Sequence, residues 1–211
     1  MRPAAIGRQT VPKTPNRSER RYFAIVEAAE SVFAERGFGK ASLAEIVRRS
    51  GGSLATLYQL FGNKRGVLRA VAIRWRDETM QRSASHDIIS GKPNLEILMD
   101  YVRDEIDMWQ SPRSVALIRM LVSESLRDRA FAVQIYRDIH RPFVARLSAM
   151  FAGWTASGTA RIDDPDAAAR LFLSIISGDT LQRLLGFEEK ASDEAQIHWR
   201  LQPFLKYFGI A

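Results

Sequence analysis

The sequence contains no cysteine, so no disulfide framework exists. It has three histidines, His86, His140 and His198, far apart in the chain and without cysteine partners, which gives a metal site no support. No apolar run reaches the roughly 18–20 residues that span a bilayer. The N-terminus shows no apolar stretch followed by a small-residue cleavage site. A cytoplasmic protein with no membrane partner is the expectation. A G-x-S-x-G elbow, a P-loop and an H-E-x-x-H pair are all missing. Gly37-Phe38-Gly39 resembles the start of a dinucleotide loop, but no strand pattern precedes it. The expectation is therefore a non-enzyme with no cofactor. β-type alternation is essentially missing as well, which points to an all-α chain.

What is present is positive charge in one place. Residues 1–75 hold 14 Lys and Arg against 5 Asp and Glu, a charge of +9. The remaining 136 residues hold 17 against 19, a charge of −2. A charge asymmetry of this size points to a nucleic acid or another anionic surface as the partner of the first third, although a basic face can also be only solvated. Residues 1–17, with Pro3, Pro12, Pro15 and four basic residues, read as a disordered basic arm. Such an arm can lie against DNA or stay loose.

The helical pattern begins at about residue 19, with Ser18 as cap, and runs to about residue 36, with Ile25, Ala28, Ala29, Val32 and Phe33 as its buried stripe. Gly37 ends it. Ser42-Leu43-Ala44-Glu45 predicts a capping box and a second, short helix with Leu43, Ile46 and Val47 inside. Ser50-Gly51-Gly52 makes a three-residue turn, and a third short helix begins after Ser53. Two short helices joined by a Gly-containing turn form a helix-turn-helix, whose second helix enters the major groove. Leu57 and Phe61 face inward. Ala55, Thr56 and Gln59 are left on the outer face, with Tyr58 at its edge. Small or amide-bearing side chains suit base edges, and a tyrosine hydroxyl can reach a phosphate. Ser53, where the recognition helix starts, is counted with this DNA-facing set. Lys64 stands in the first turn of a fourth helix, where the macrodipole disfavours a cation unless a phosphate docks there. Ser42 can seat a second phosphate at the second helix. For either residue alone a cap or an exposed side chain explains it equally well; together, in the most basic part of the chain, they favour double-stranded DNA.

Those same residues carry a family resemblance. Ala28-Ala29-Glu30-Ser31-Val32-Phe33, Arg36-Gly37-Phe38, Ala41-Ser42-Leu43, Glu45-Ile46, Ser50-Gly51, Thr56-Leu57-Tyr58, Phe61, Lys64 and Val67-Leu68 resemble the DNA-binding domain of the TetR/AcrR regulators. The resemblance implies an N-terminal three-helix helix-turn-helix domain, residues 18–66, joined to a C-terminal helical ligand-binding and dimerisation domain, residues 67–211. It implies phosphate contacts from Ser42, Tyr58 and Lys64, and base-edge positions for Ala55, Thr56 and Gln59. Gly52, Leu54 and Leu60 depart from the pattern, which usually has Val, Lys or Arg, and an aromatic or His there. Arg119-Met120-Leu121-Val122-Ser123-Glu124, Asp164-Pro165-Asp166-Ala167-Ala168 and Leu184-Leu185-Gly186 are similar to the AefR-like branch.

Beyond the fourth helix, which is expected to end near residue 83, five more helices are predicted. One is a long helix over about residues 129–156 kinked by Pro142; another runs from Asp164-Pro165 to about Gly186. The latter is apolar on more than one face, so it should pack on its own domain and on a partner. Leu171, Ile175, Leu181 and Leu185, with Leu201, Phe204 and Leu205 of the last helix, are the candidates for a two-fold homodimer interface. Val102, Ile106, Trp109, Met120, Tyr136, Phe143, Trp154 and Phe172 are the candidates for lining an apolar pocket for a small-molecule effector, although such stripes also suit plain core. His140 is expected to be a surface histidine. The function implied is a DNA-binding repressor released by a small hydrophobic ligand. An architectural DNA binder without ligand control and a basic peripheral membrane protein are the alternatives.

Overall fold

The computed structural model describes residues 16–87, 91–187 and 193–210. Most of the expected basic arm lies outside the described residues. Asn16 and Arg17 are described and belong to the first helix, α1 (Arg17–Lys40). The cap of α1 is Asn16 rather than Ser18. Its side chain accepts from Glu19 N–H at 2.9 Å, and Glu19 returns a carboxylate to Asn16 N–H at 2.7 Å. Two reciprocal bonds outcompete a single serine two residues later. Gly37, at φ +69°, breaks the helical geometry as expected, but helical bonding resumes to Lys40. Phe38 then folds back to 5.6 Å from Phe33.

Next come α2 (Leu43–Ser50) and α3 (Leu54–Phe61), capped by Ser42 and Ser53. Glu45 does not reach back to its cap. Its carboxylate pairs with Arg49 at 2.6 Å, because a charged partner one turn on holds it more strongly than a backbone amide. The fourth helix, α4 (Lys64–Asp87), runs a turn further than expected.

The C-terminal part contains α5 (Asn94–Gln110), α6 (Pro112–Arg127), α7 (Arg129–Ile135) and α8 (Arg141–Ala156). Between α7 and α8 lies a π-helical turn, Tyr136–His140. The cause is Pro142, which has no N–H for Asp138 O, four residues back. Arg141 N–H reaches five residues back to Tyr136 O, and Arg76 of α4 donates Nη1 to the Asp138 carbonyl. The expected kink is therefore a π turn with a side-chain partner on another helix.

The helix from Pro165 is also not continuous. It forms α9 (Pro165–Ile176) and α10 (Thr180–Leu185), broken at Ser177-Gly178-Asp179. Gly178 lowers helix propensity there. Arg200 reaches the break, with Nη1 3.2 Å from where a Cβ on Gly178 would stand and Nη2 donating to Asp179 Oδ2 at 2.5 Å. Helix α11 (Glu194–Phe208) follows, capped by Asp193.

Two apolar clusters hold these helices. One joins α5, α8, α9 and α11 through residues such as Leu98, Leu147, Phe151, Phe172 and Leu201. The other joins α1–α4 to Leu117 and Leu121 of α6, Phe131 of α7 and Ile139 of the π turn. The core of the helix-turn-helix thus does not close at residue 66; it continues into α6, α7 and the π turn.

Candidate DNA-reading face and internal cavity

The recognition helix α3 is anchored by Leu57, fully buried, and by Phe61, stacked 5.0 Å from Tyr22. With those side chains inward, Ala55, Tyr58 and Gln59 are exposed and Thr56 is half-buried. Thr56 Oγ1 lies 2.9 Å from Ser53 Oγ, and Ser53 Oγ accepts from Thr56 N–H at 3.1 Å. Both hydroxyls thus brace the first turn of α3. Leu54, at the same end, is also exposed.

Ser42 accepts from Glu45 N–H at 3.1 Å and remains exposed at the N-terminus of α2. Lys64 is folded back rather than extended. Its Nζ donates to Gly39 O at 3.2 Å and lies 4.6 Å over the Phe38 ring. Burial there pulls its pKa below the ordinary lysine value, with Glu124 acting in the opposite direction. An ammonium has three donors, so Nζ retains others for a phosphate beside the α4 N-terminus.

Three features of this region were not expected from the sequence. Arg21 of α1 lies over the turn, donating Nη1 to Ser50 O at 3.0 Å and Gly51 O at 2.8 Å. Its side chain occupies the space beside Gly52, 3.5 Å from where a Cβ would begin. The turn that contains Gly52 is therefore clamped from α1. Second, Asn63 Oδ1 accepts from Gly66 N–H at 3.0 Å and caps α4. Third, a Cβ on Gly66 would stand 1.8 Å from Phe61 O. Only glycine lets α3 and α4 meet so closely. A glycine inside a helical pattern was the sole sequence signal for it.

A partly open cavity of about 600 Å³ lies between the two apolar clusters. Trp75 and Thr79 of α4, Ile118, Leu121 and Val122 of α6, and Leu173 of α9 contribute to its wall. Of the eight expected lining residues, Trp109, Tyr136 and Phe143 reach it. Val102, Trp154 and Phe172 do not: they are buried in the α5–α8–α9–α11 cluster. Ile106 packs on that cluster and Met120 on the other. An apolar stripe reports burial but not which buried face meets a void. His140 is exposed, as expected, and stands at the edge of the cavity, where it stacks on Tyr136 at 5.4 Å. Burial, and secondarily Arg170, hold its pKa below the ordinary histidine value.

The wall also carries acids. Glu105 of α5 accepts from Trp109 Nε1 and Ser177 Oγ, each at 2.9 Å. Burial pushes its carboxyl above the ordinary glutamate value, although Trp109, Ser177 and Arg183 pull in the opposite direction. The break between α9 and α10 is what turns Ser177 toward it. Around the π turn, Asp138 binds Arg69 of α4 through its carboxylate and Arg76 through its carbonyl. Arg65 of α4 meets Glu124 and Asp128 at 2.9 Å each. The helix that carries Lys64 is thus tied to two segments that wall the cavity.

Residues 25–71 match the family model for bacterial regulatory proteins of the tetR family, and residues 96–201 match that for the C-terminal domain of AefR-like transcriptional repressors. The chain belongs to the TetR family. It is a helix-turn-helix, DNA-binding transcriptional regulator. Among its relatives, YfiR of Bacillus subtilis, an uncharacterized HTH-type transcriptional regulator, is 25% identical over 92% of this chain and 94% of its own length. The flavonoid-responsive regulator FrrA shares the fold at a TM-score of 0.67 and 27% identity, covering 90% of this chain and 97% of FrrA. A Mesorhizobium loti structure assigned to the same family superposes with a TM-score of 0.78 at 20% identity, over 93% of this chain and all of that one, a likeness of fold.

In this TetR-family regulator the expected interface residues divide. Leu201, Phe204 and Leu205 are buried within the protomer and cannot contact a partner. The aromatic cluster of Phe151, Phe172, Phe204 and Phe208 holds that face of α11 inward. Ile175 is half-buried against the same core. Leu171, Leu181 and Leu185 are exposed, and so are Phe187, Trp199 and Tyr207, which were not expected there. Among the described residues, no helix is long and apolar enough to cross a membrane.

Proposed function

We propose that the protein is a homodimeric repressor that reads operator DNA with α3 and leaves it when a small, largely apolar ligand fills the cavity. Gln59, Ala55 and Thr56 face base edges; Ser42, Tyr58 and Lys64 hold phosphates, with Ser53 bracing the start of α3. The dimer uses the exposed apolar face of α9–α11, which a soluble monomer rarely leaves uncovered. Two copies set their recognition helices about one DNA turn, 34–36 Å, apart. The division at residues 66/67 is one of labour, reading head against regulatory body, with a shared core. The protein acts where the DNA is, in the cytoplasm.

The observation that carries ligand control is the double duty of the π turn. Tyr136, Ile139 and His140 wall the cavity while Asp138, between them, holds Arg69 and Arg76 of α4. A ligand that displaces this wall moves the helix behind the reading head. If it binds the displaced state better, linkage requires that DNA binding weaken. The flavonoid response named for FrrA supports an aromatic, mostly apolar effector.

The test is a DNA titration over a salt series. Lys64→Ala should weaken binding to all sequences and reduce the salt slope by about one. Gln59→Ala should change base preference instead. Unchanged binding in both variants refutes the assignment of the reading face.

A further inference from the structure

Two consecutive residues of α1 hold the recognition helix at its two ends. At the C-terminal end of α3, Tyr22 stacks on Phe61 at 5.0 Å. Ahead of its N-terminal end, Arg21 donates Nη1 to Ser50 O at 3.0 Å and to Gly51 O at 2.8 Å. These carbonyls belong to the C-terminus of α2, where the last C=O groups lack intrahelical donors and the helix dipole is negative. Arg49, in the last turn of α2 itself, is held elsewhere, by Glu35 at 2.5 Å and Glu45 at 2.6 Å. Among the described residues no carboxylate pairs with Arg21, so its guanidinium is committed to the turn.

Gly52 is what admits the arginine. Its φ is not positive, so the backbone does not demand glycine there, in contrast to Gly51 at φ +70°. A Cβ at position 52 would stand 3.5 Å from Arg21 Nη1 and 3.7 Å from Arg21 Cδ, which is ordinary contact. The methyls of a valine would extend about 1.5 Å further, into the volume that the arginine occupies. The same turn leads directly into Ser53, whose hydroxyl caps α3 through Thr56 N–H. A change in the turn therefore re-aims the helix that carries Ala55, Thr56 and Gln59. Hydrogen bonds to base edges depend on that aim, whereas the sequence-independent attraction to phosphates is far less sensitive to it.

We propose that Arg21 is a positioning residue for DNA recognition: seated in the space beside Gly52, it fixes the turn that aims α3 and so sets discrimination between operator and other DNA. This rests on the reading of α3 as the recognition helix. Arg21 and Gly52 act as one unit, because removing the guanidinium and filling its seat release the same turn.

The test uses the full chain and two duplexes: the sequence that the parent selects from a random pool, and a scrambled duplex of the same composition. Dissociation constants for both are measured over a salt series. Arg21→Ala should lower the ratio of selected to scrambled affinity at least about tenfold, the worth of one aligned base contact. Gly52→Val, which keeps the arginine and its charge, should lower the ratio by a similar factor and retain the parent's salt slope. The double variant should lose no more than about the larger single loss, since both changes act on one contact. Each single variant reads the ratio by itself, so either decides the proposal if the other folds poorly. Equal losses on both duplexes from Arg21→Ala, with the salt slope reduced by about one, would make Arg21 a phosphate contact and overturn the proposal. An unchanged ratio in either variant, or losses that add in the double variant, would overturn it as well, while α3 stands as the recognition helix. If the parent selects no sequence, this proposal and the reading of α3 fall together.

Discussion

The reading head and the cavity wall are both built from short helical pieces, yet they use polar side chains in opposite ways. Helix α3 turns Gln59 and Tyr58 to solvent and spends the hydroxyls of its cap Ser53 and of Thr56 on its own first turn. The cavity turns Asp104 and Glu105 inward and meets them with Ser83, Trp109 and Ser177 from three separate segments. The first arrangement follows from local period, because burying Leu57 and Phe61 decides where every other side chain of α3 points. The second exists only after distant segments pack.

The sharpest way to break this contrast is at the joint of α3 and α4. Gly66→Ala places a Cβ 1.8 Å from a backbone oxygen, so the two helices must separate. A loss above about 4 kcal/mol is expected, in the range reserved for severe strain, together with loss of DNA binding. Gly51→Ala, at φ +70° with open space around it, should cost only about 1 kcal/mol. Urea unfolding of both variants reads the difference.

Next in size is the regulatory body. Leu201→Ala removes a fully buried side chain and should destabilise the protomer by about 2–5 kcal/mol. Leu181→Asp changes a side chain that is 65% exposed. It should leave protomer unfolding in denaturant nearly unchanged and shift the sedimentation profile toward monomer.

The way these elements could be anticipated follows the same division. The outward set on α3, the Ser42 and Ser53 caps and the Pro142 irregularity are properties of neighbours in sequence. Arg21 over the turn and Asp138 between two arginines are contacts across 29 or more residues of chain, which no local period encodes; Gly66 lies only five residues from Phe61, but its need for glycine appears only when α3 and α4 meet. The lining was legible at only three of its eight expected positions, for a related reason. Trp109 and Phe172 sit on equally apolar stripes, and only packing puts one at the void and the other in the core. Glu105 went unnoticed because one acid among several on an amphipathic helix reads as solvated.

A smaller effect sharpens the link between the two regions. Asp138→Asn weakens the hold on Arg69 but leaves the carbonyl for Arg76. DNA binding without ligand should persist, while the ligand-induced loss of affinity should shrink by roughly 0.5–2 kcal/mol of coupling. Titrating DNA with and without ligand measures it.

The smallest is a pH signature at Glu105. Its folded pKa is raised, so its ionisation works against folding. That penalty is absent below the ordinary carboxylate range and grows as pH rises through the raised value. Glu105→Gln cannot ionise. It should melt roughly 2–4 °C higher than the parent near neutral pH, for about 1 kcal/mol, with the gain vanishing as pH falls below the ordinary carboxylate pKa. A gain that persists at acid pH would mean that ionisation is not its source.

The reading head carries the central claim, and selection of bound DNA from a random pool, run in parallel on the parent and on Gln59→Ala, tests it most directly. The account predicts a two-fold symmetric sequence for the parent and, for the variant, the same palindrome with its preference relaxed at one matching position in each half. No enriched sequence, or an identical motif from both proteins, would contradict it.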